Sequence, residues 1–418
     1  MTDPKRRPPL LPLDEALARL LTFATPALDA ESVPVGDADG RVLAQEVVSA
    51  LHVPPHDNSS MDGYALRCTD IAAPGVQLSV SQRIAAGSSG TPLPVGTAAR
   101  IFTGAPVPAG ADAVVMQEDC QALPVGEGAA ELPQIQINAR PIPGQNIRRA
   151  GEDVARGDVV LSRGQRLGPA ELGLAASIGM ASLTVARRPR VALFSTGDEL
   201  VMPGSVAPQD MPPGAIYNSN RFFLRSLLRR MGCVVSDLGI VPDQREATVQ
   251  ALREAALSHD VILTSGGVSV GEEDHIKPAV QSLGTLDLWQ IAIKPGKPFA
   301  HGRIGDAHFL GLPGNPVSSF VTFLVLVRPF LLQLQGARSV AMQTVAARAD
   351  FTWAKPDKRR EFLRARRNAQ GGLDLFANQS SGVLTSAVWG DGLIDNPPGC
   401  NIAPGDTVRF VSFSEVLS

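Results

Sequence analysis

Two of the chain's six lysines stand in one turn, KPGKP, as Lys294 and Lys297. Elsewhere the basic residues are mostly arginine, so lysine here is informative. A compact ammonium acts on a phosphate or another oxyanion as a point charge, where arginine would impose its planar fork. Acids form the opposite pole. Asp198 and Glu199 follow STG, Asp243 follows IVP, and Glu272, Glu273 and Asp274 close the glycine-rich TSGGVSVGEED. Carboxylates on one rim beside two lysines suit a hard cation such as Mg²⁺ bridging phosphate oxygens. The glycines of TSGGVSVGEED let backbone N–H groups approach an anion. GLPGNPVSS offers Asn315 as a helix N-cap and Pro316 as the first helical residue. Asp62 lies in DNSSMDGYA and Glu152–Asp153 in NIRRAGED, both among turn formers. His52 and His56 have a metal-like spacing, but Pro54 and Pro55 between them forbid a shared helical face, so they are not read as ligands.

These groups need elements to place them. From residue 190 to about 335, apolar β-branched runs alternate with helical ones, which predicts a mostly parallel sheet flanked by helices. Ligands of such sheets bind beyond the carboxyl ends of the strands. STGDEL, VPDQ, SGGVSVGEED, KPGKP and PGNPVSS each follow a strand-like run, so their five tips are expected on one rim. Residues 14–24 read as an amphipathic helix with Asp14 able to cap it. GPAELGLAASIG reads as a second helix, with Pro169 in its first turn and Gly179 at its end. Between them, 51–149 breaks into short β-like runs, and β character returns from about 340.

Length and composition bound the rest. The 418 residues suggest two to four domains. Hydrophobic residues are 44% and charged ones 19%, enough for sizeable cores. A net charge of −3 does not imply nucleic-acid binding. Four scattered cysteines without a CxxC read as free thiols of a reducing compartment. The basic N-terminus lacks an apolar signal region, and the most apolar stretch, Phe320 to Val327, stops at Arg328-Pro329, short of the ~20 residues that span a bilayer. A soluble cytoplasmic protein is expected. The residues alone thus give an α/β domain gripping a phosphorylated ligand, with Mg²⁺. Nucleotidyl transfer and phosphoanhydride hydrolysis both stay open.

DNSSMDGYA, RIFTGAPVPAGADAVVMQED, NIRRAGEDV, VALFSTGDEL, TSGGVSVGEEDHIK, IKPGKPFA and GLPGNPVSSF, in this order, resemble the molybdopterin molybdenumtransferase family (MoeA and the E-domain of gephyrin). The resemblance runs from about residue 10 to 335 and thins over the last eighty residues. It implies a multidomain α/β plus β fold. A discontinuous helical domain is built from 1–50 and 150–185, and a β-rich domain, 51–149, is inserted in it. A molybdopterin-binding-type α/β domain spans 186–335, and a β-barrel-like domain, 336–418, ends the chain. The implied activity is insertion of molybdate into adenylylated molybdopterin, with divalent-cation-dependent cleavage and release of AMP.

The resemblance also distributes roles. Lys294, Lys297, Pro298 and Ser318, with Arg364 and Ser381 of the last domain, would hold molybdate or phosphate. Asp198, Glu199, Asp243 and Asp274 would position the metal and the pterin phosphate. Ser265, Gly266, Gly267, Ser269 and Gly271, with Pro313, Gly314 and Asn315, would lie along the ligand. In a homodimer, DNSSMDGYA would reach the cleft of the partner subunit, with Asp62 acting beside Thr103 and Asp153, and Met61 and Tyr64 anchoring the loop. Other proteins of molybdenum cofactor biosynthesis are implied partners; nucleic acid and membrane are not. Asn218 stands where aspartate is often seen, so it carries no charge here. RREFLRARR also reads as a solvated basic strand. Two rival functions are a molybdopterin adenylyltransferase, against which the long N-terminal part argues, and a non-catalytic dimeric scaffold.

Overall fold

The computed structural model describes residues 10–25, 28–123, 132–268 and 275–417. The run RVALFST forms a strand, Arg190–Thr196, whose residues from Val191 to Thr196 are all buried. Such continuous apolar runs are what a sheet covered on both faces requires. It lies in a six-stranded sheet of spatial order Val234–Val241, Arg190–Thr196, Val261–Ser265, Ala307–Leu312, Pro298–Ile304 and Gly284–Gln290. The first four strands are mutually parallel. Pro298–Ile304 runs antiparallel to both neighbours, so Gly284–Gln290 regains the common direction. Five carboxyl ends therefore share one edge, and the KPGKP turn, connecting Gly284–Gln290 to the reversed strand, lies on it.

One face of this sheet is covered by helices Asn220–Arg230 and 316–334, the other by Arg245–Ala256 and Ile276–Leu283. The 316–334 helix does not stop at Arg328-Pro329. It runs through Pro329 by way of a π-helical turn, Phe323–Val327, which shifts the local hydrogen-bond register where proline removes a donor. Its 19 residues have the length and apolarity of a membrane span, yet 94% of its most apolar window is buried inside the protein.

Helix Leu13–Thr22 buries Leu13, Ala16 and Leu20 in this same α/β core, not against the 150–185 segment. Its N-cap is Pro12; Asp14 sits in the first turn and reaches Arg360 at 2.8 Å. The chain from residue 30 does meet the 150–185 segment: Ala30–Pro34 pairs antiparallel with Ser182–Ala186, and Leu43, Val47, Leu161, Ala175 and Val185 share a core. That segment holds one helix, Pro169–Ser177, with Pro169 opening it and Gly179 following at φ +82°.

Two further six-stranded sheets lie among the described residues. The first orders Ala113–Met116, Gly63–Leu66, Thr97–Ile101, Val76–Ile84, Gln134–Ile137 and Cys120–Leu123. Gly63 is required there, because a Cβ would lie 1.9 Å from the Val115 carbonyl oxygen. The second, C-terminal sheet orders Ile293–Lys294, Arg360–Arg367, Gly392–Asn396, Thr407–Ser412 and Val345–Arg348, with Leu373–Leu375 also on Arg360–Arg367. It curls into a half-barrel, and Ala349 bridges back to Leu373. The four cysteines are free thiols.

Candidate functional site

At the shared strand edge, the loops after Thr196, Ser265 and Leu312 surround a cavity of about 350 Å³. Gly266 (φ +96°) brings its backbone so close that a Cβ would meet the Thr196 carbonyl at 3.2 Å. Asn220, at the start of its helix, donates Nδ2 to Ser265 Oγ and to the Gly314 carbonyl, each at 2.7 Å, so one amide clamps two loops. Asn315 occupies the N-cap position as expected, but its side chain makes no cap bond and lines the cavity instead. Pro313 is buried beneath, and Gly267 (φ +66°) packs on Ile276 and Thr196. Asn218 Nδ2 and Asn220 Oδ1 are buried without a protein partner, beside the cavity both residues line. Buried amide groups left unpaired cost about 1–3 kcal/mol each, and a ligand that pairs them relieves that cost.

The same strand edge carries the KPGKP turn with its two lysines, a cationic corner. Ile293–Lys294 leaves the α/β sheet and pairs in parallel with Arg360 and Glu361. The turn then folds tightly onto the 316–334 helix: a Cβ on Gly296 (φ +114°) would meet Thr322 Oγ1 at 2.3 Å and the Ser318 carbonyl at 3.4 Å. Lys294 Nζ sits 3.2 Å from Glu361 Oε1 and 3.5 Å from Asp357 Oδ2. Lys297 is half-buried and has no carboxylate partner among the described residues. Pro298 opens the reversed strand directly after it. Ser318 is buried in the first turn of the helix, and Val317 N donates to the Ser381 carbonyl at 2.9 Å.

Arg364 is 1% exposed. Its guanidinium donates to the Ser386 hydroxyl and to the Phe362 and Ser380 carbonyls, and to no carboxylate among the described residues. Burial pulls its pKa down to about 10. A buried cation held only by neutral oxygens is a site prepared for an anion. The RREFLRARR strand is accordingly not solvated: Glu361 to Ala365 are all buried, because one face packs on the α/β core through Phe362 and the other on the C-terminal core through Leu363 and Ala365, and only Arg366 and Arg367 are exposed.

The acids are more open. Glu199 lines the cavity, and its carboxylate lies under Gly197, where a Cβ would meet Oε2 at 2.5 Å. Asp198 is exposed, and Asp243 is half-buried just beyond Val241. Ser269, Gly271 and Asp274 lie outside the described residues. Among the described residues no three of His, Cys, Asp and Glu converge on a metal-sized point. Mg²⁺ does not need such a cage: it takes one or two carboxylates and completes its shell with water and phosphate oxygens. Glu199, the one of these carboxylates that lines the cavity, is an oxygen ligand of that kind.

The remaining expected residues sit on the β-rich sheet. Asp62 Oδ1 accepts from Thr103 N at 2.8 Å and Thr103 Oγ1 at 2.7 Å, and these bonds lower its pKa. Both residues are exposed. Asp153 is exposed too, its N–H bound to the Val53 carbonyl. None of these bonds reaches a residue lining the cavity. Met61 does not anchor the turn; it is 41% exposed, since the tight fit of Gly63 against Val115 already fixes the backbone. Tyr64 is half-buried under the Arg100 guanidinium, 5.1 Å from its ring centroid. His52 Nδ1 accepts from Arg156 N. The sequence reading missed Tyr217 and Asn220 of IYNSN and Glu361 of RREFLRARR. Their only signal was a polar cluster before a helix and one acid among arginines.

Comparison with known proteins follows the same geography. Residues 11–179 match the MoeA N-terminal region (domains I and II), 192–333 a probable molybdopterin-binding domain, and 346–413 the MoeA C-terminal region (domain IV). The chain is 38% identical over 416 residues to a molybdopterin molybdenumtransferase of Haemophilus influenzae, covering 98% of this chain and 100% of that one. It is 38% identical over 379 residues to molybdopterin molybdenumtransferase 2 of Mycobacterium tuberculosis, covering 88% and 90%. The crystal structure of a molybdopterin biosynthesis moeA protein of Pyrococcus horikoshii OT3 superposes with a TM-score of 0.83 at 28% identity, over 97% of this chain and 100% of that one.

Proposed function

Since the chain belongs to the MoeA family of molybdopterin molybdenumtransferases and is a transferase of molybdenum cofactor biosynthesis, we propose that it inserts molybdate into adenylylated molybdopterin with cleavage of the pyrophosphate and release of AMP. The observation that carries this reading is the cationic corner. Lys294 and Lys297 stand in the turn on the strand edge, the buried Arg364 has no carboxylate partner among the described residues, and the cavity on that edge carries unpaired amides. A tetrahedral oxyanion suits the corner, and a flat heterocycle with donor and acceptor edges suits Asn218 Nδ2 and Asn220 Oδ1.

In this reading Lys297, Lys294 and Arg364 bind the oxyanion, with Ser318, Ser381 and Pro298 shaping the pocket. The loops at Ser265–Gly267 and Pro313–Asn315 hold the pterin nucleotide, continued by Ser269 and Gly271. Asp198, Glu199 and Asp243, with Asp274, would hold Mg²⁺, whose charge offsets that of the pyrophosphate oxygens when it is bound. Asp62, Thr103 and Asp153 complete the cleft of the partner subunit in a homodimer. The pieces 1–50 with 150–185, 51–149, 186–335 and 336–418 are the corresponding domains, with helix Leu13–Thr22 of the first lent to the core of the third, and the cytoplasm is the compartment.

The test is AMP release from adenylylated molybdopterin by the purified protein, with molybdate and divalent metal varied independently. Release that depends on both supports the reading. A protein that binds the nucleotide but frees no AMP is a scaffold. One that consumes ATP and molybdopterin without molybdate is an adenylyltransferase.

A further inference from the structure

Glu361 takes no part in the roles above, yet it is among the most deeply buried charged groups in the molecule, with 0% of its side chain exposed. Burying a carboxylate costs several kcal/mol unless donors surround it. Three do. Lys294 Nζ reaches Oε1 at 3.2 Å, and Trp353 Nε1 and Asn396 Nδ2 reach Oε2 at 2.8 and 3.4 Å. Asp357 touches the same ammonium and is itself clamped by Arg359, whose bonds hold the carboxyl far below the usual range. The Trp353 ring, 6.0 Å from Nζ, forms another side of this seat. The backbone agrees with the side chains. Lys294 is in register with Glu361 in a parallel pairing, and Arg360 N donates to the Ala292 carbonyl at 2.9 Å.

A lysine carries much rotamer entropy on its flexible stem, so an ammonium that must meet an anion at one point gains from being fixed beforehand. Lys297, three residues on, has no such seat among the described residues. The two lysines of one turn are thus held differently: one is oriented by a second sheet, the other is left to answer the ligand. We propose that Glu361 is a positioning residue for the transfer reaction. It fixes the Lys294 ammonium at the oxyanion corner and acts through Lys294 without touching the anion. The proposal rests on the reading that Lys294 contacts the oxyanion.

The test compares full-length wild type, Glu361→Gln, Lys294→Ala and the double variant in molybdate-dependent AMP release, with kcat and KM for molybdate resolved. Glutamine keeps the shape and an acceptor for Trp353 but removes the charge. The expected result is a fall in kcat of about tenfold for E361Q, a smaller change in KM, and a double variant no worse than K294A alone. If K294A is as active as wild type, the reading of the corner fails and the proposal falls with it. If K294A is impaired while E361Q is fully active, or the two losses multiply in the double variant, the proposal alone is overturned. Should E361Q fail to fold, Trp353→Phe loosens Glu361 without removing it. Its loss of about threefold should vanish in the K294A background, and an equal loss in both backgrounds overturns the proposal.

Discussion

Around Arg364 charge is buried and has no counter-ion among the described residues; around Asp62 it is exposed and fully oriented. The guanidinium has lost its water and is held by a hydroxyl and two carbonyls. The carboxylate keeps its water, and two bonds from Thr103 aim it outward. The difference teaches where each group finds its complement. A desolvated cation supplies its full field as soon as an anion arrives. An exposed carboxylate is weak until another surface covers it. Under the proposed function the corner works within one chain, and the turn is finished by a second one.

The largest expected effect is at the corner. Lys297→Ala should lower kcat/KM for molybdate-dependent AMP release by about 10²–10³-fold, because a partly buried charge meeting an anion is lost outright. Asp62→Ala should cost about 10–100-fold in the same assay, with the midpoint of a denaturant melt unchanged. If Asp62 serves the partner's cleft, mixing D62A and K297A subunits should restore about a quarter of wild-type activity, since half the dimers are hybrid and each has one intact site. No recovery on subunit exchange would place Asp62 outside the partner's cleft. Gly63→Ala sharpens the contrast from beneath. Its methyl would overlap the Val115 carbonyl, so a loss of about 2–4 kcal/mol in stability is expected, with anion binding at the corner unchanged by titration calorimetry.

The mildest expectation concerns pH and belongs to the α/β side alone. Burial lowers the pKa of His301 to about 4 and of His308 to about 3, against an ordinary 6.5. The unfolded chain then takes up protons first. Stability from these neutral rings is whole above pH 6.5 and is lost as pH falls toward 4. Urea melts at pH 7, 5.5 and 4.5 should show a declining midpoint. Trp289, 6.2 Å from His301 between ring centroids, gives a fluorescence report confined to this core once Trp353 and Trp389 are replaced by phenylalanine. Replacing both histidines by apolar residues should flatten the trend.

Much of this organisation was legible in the residues. Alternating apolar and helical runs pointed to the α/β sheet, and the polar tips at the ends of those runs put KPGKP, PGNPVSS and SGG on one edge. Single-strand reasoning could not see that Ile293–Lys294 would desert its own sheet, because that pairing joins residues 67 positions apart (361 − 294). The same gap hid Glu361: an acid among arginines looks solvated until a second sheet closes over it. Helix Leu13–Thr22 showed its apolar face but not its destination, since periodicity says that a face is buried and not against what. Met61 failed as an anchor because the backbone of Gly63 already does that work.

The long helix that begins at Pro316 has a mechanical corollary. Nineteen residues at 1.5 Å each make a rod of about 28 Å. Its near end carries Ser318 to the anion corner. Just past its far end, Ala337 packs with Val42 and Ala186, and Arg338 N donates to the Gly164 carbonyl, within the unit from which the β-rich sheet extends. The distance between the carboxyl edge of the α/β sheet and the base of that arm is thus set by a solid strut, so inserting or deleting one residue in it would rotate the two ends by about 100° against each other.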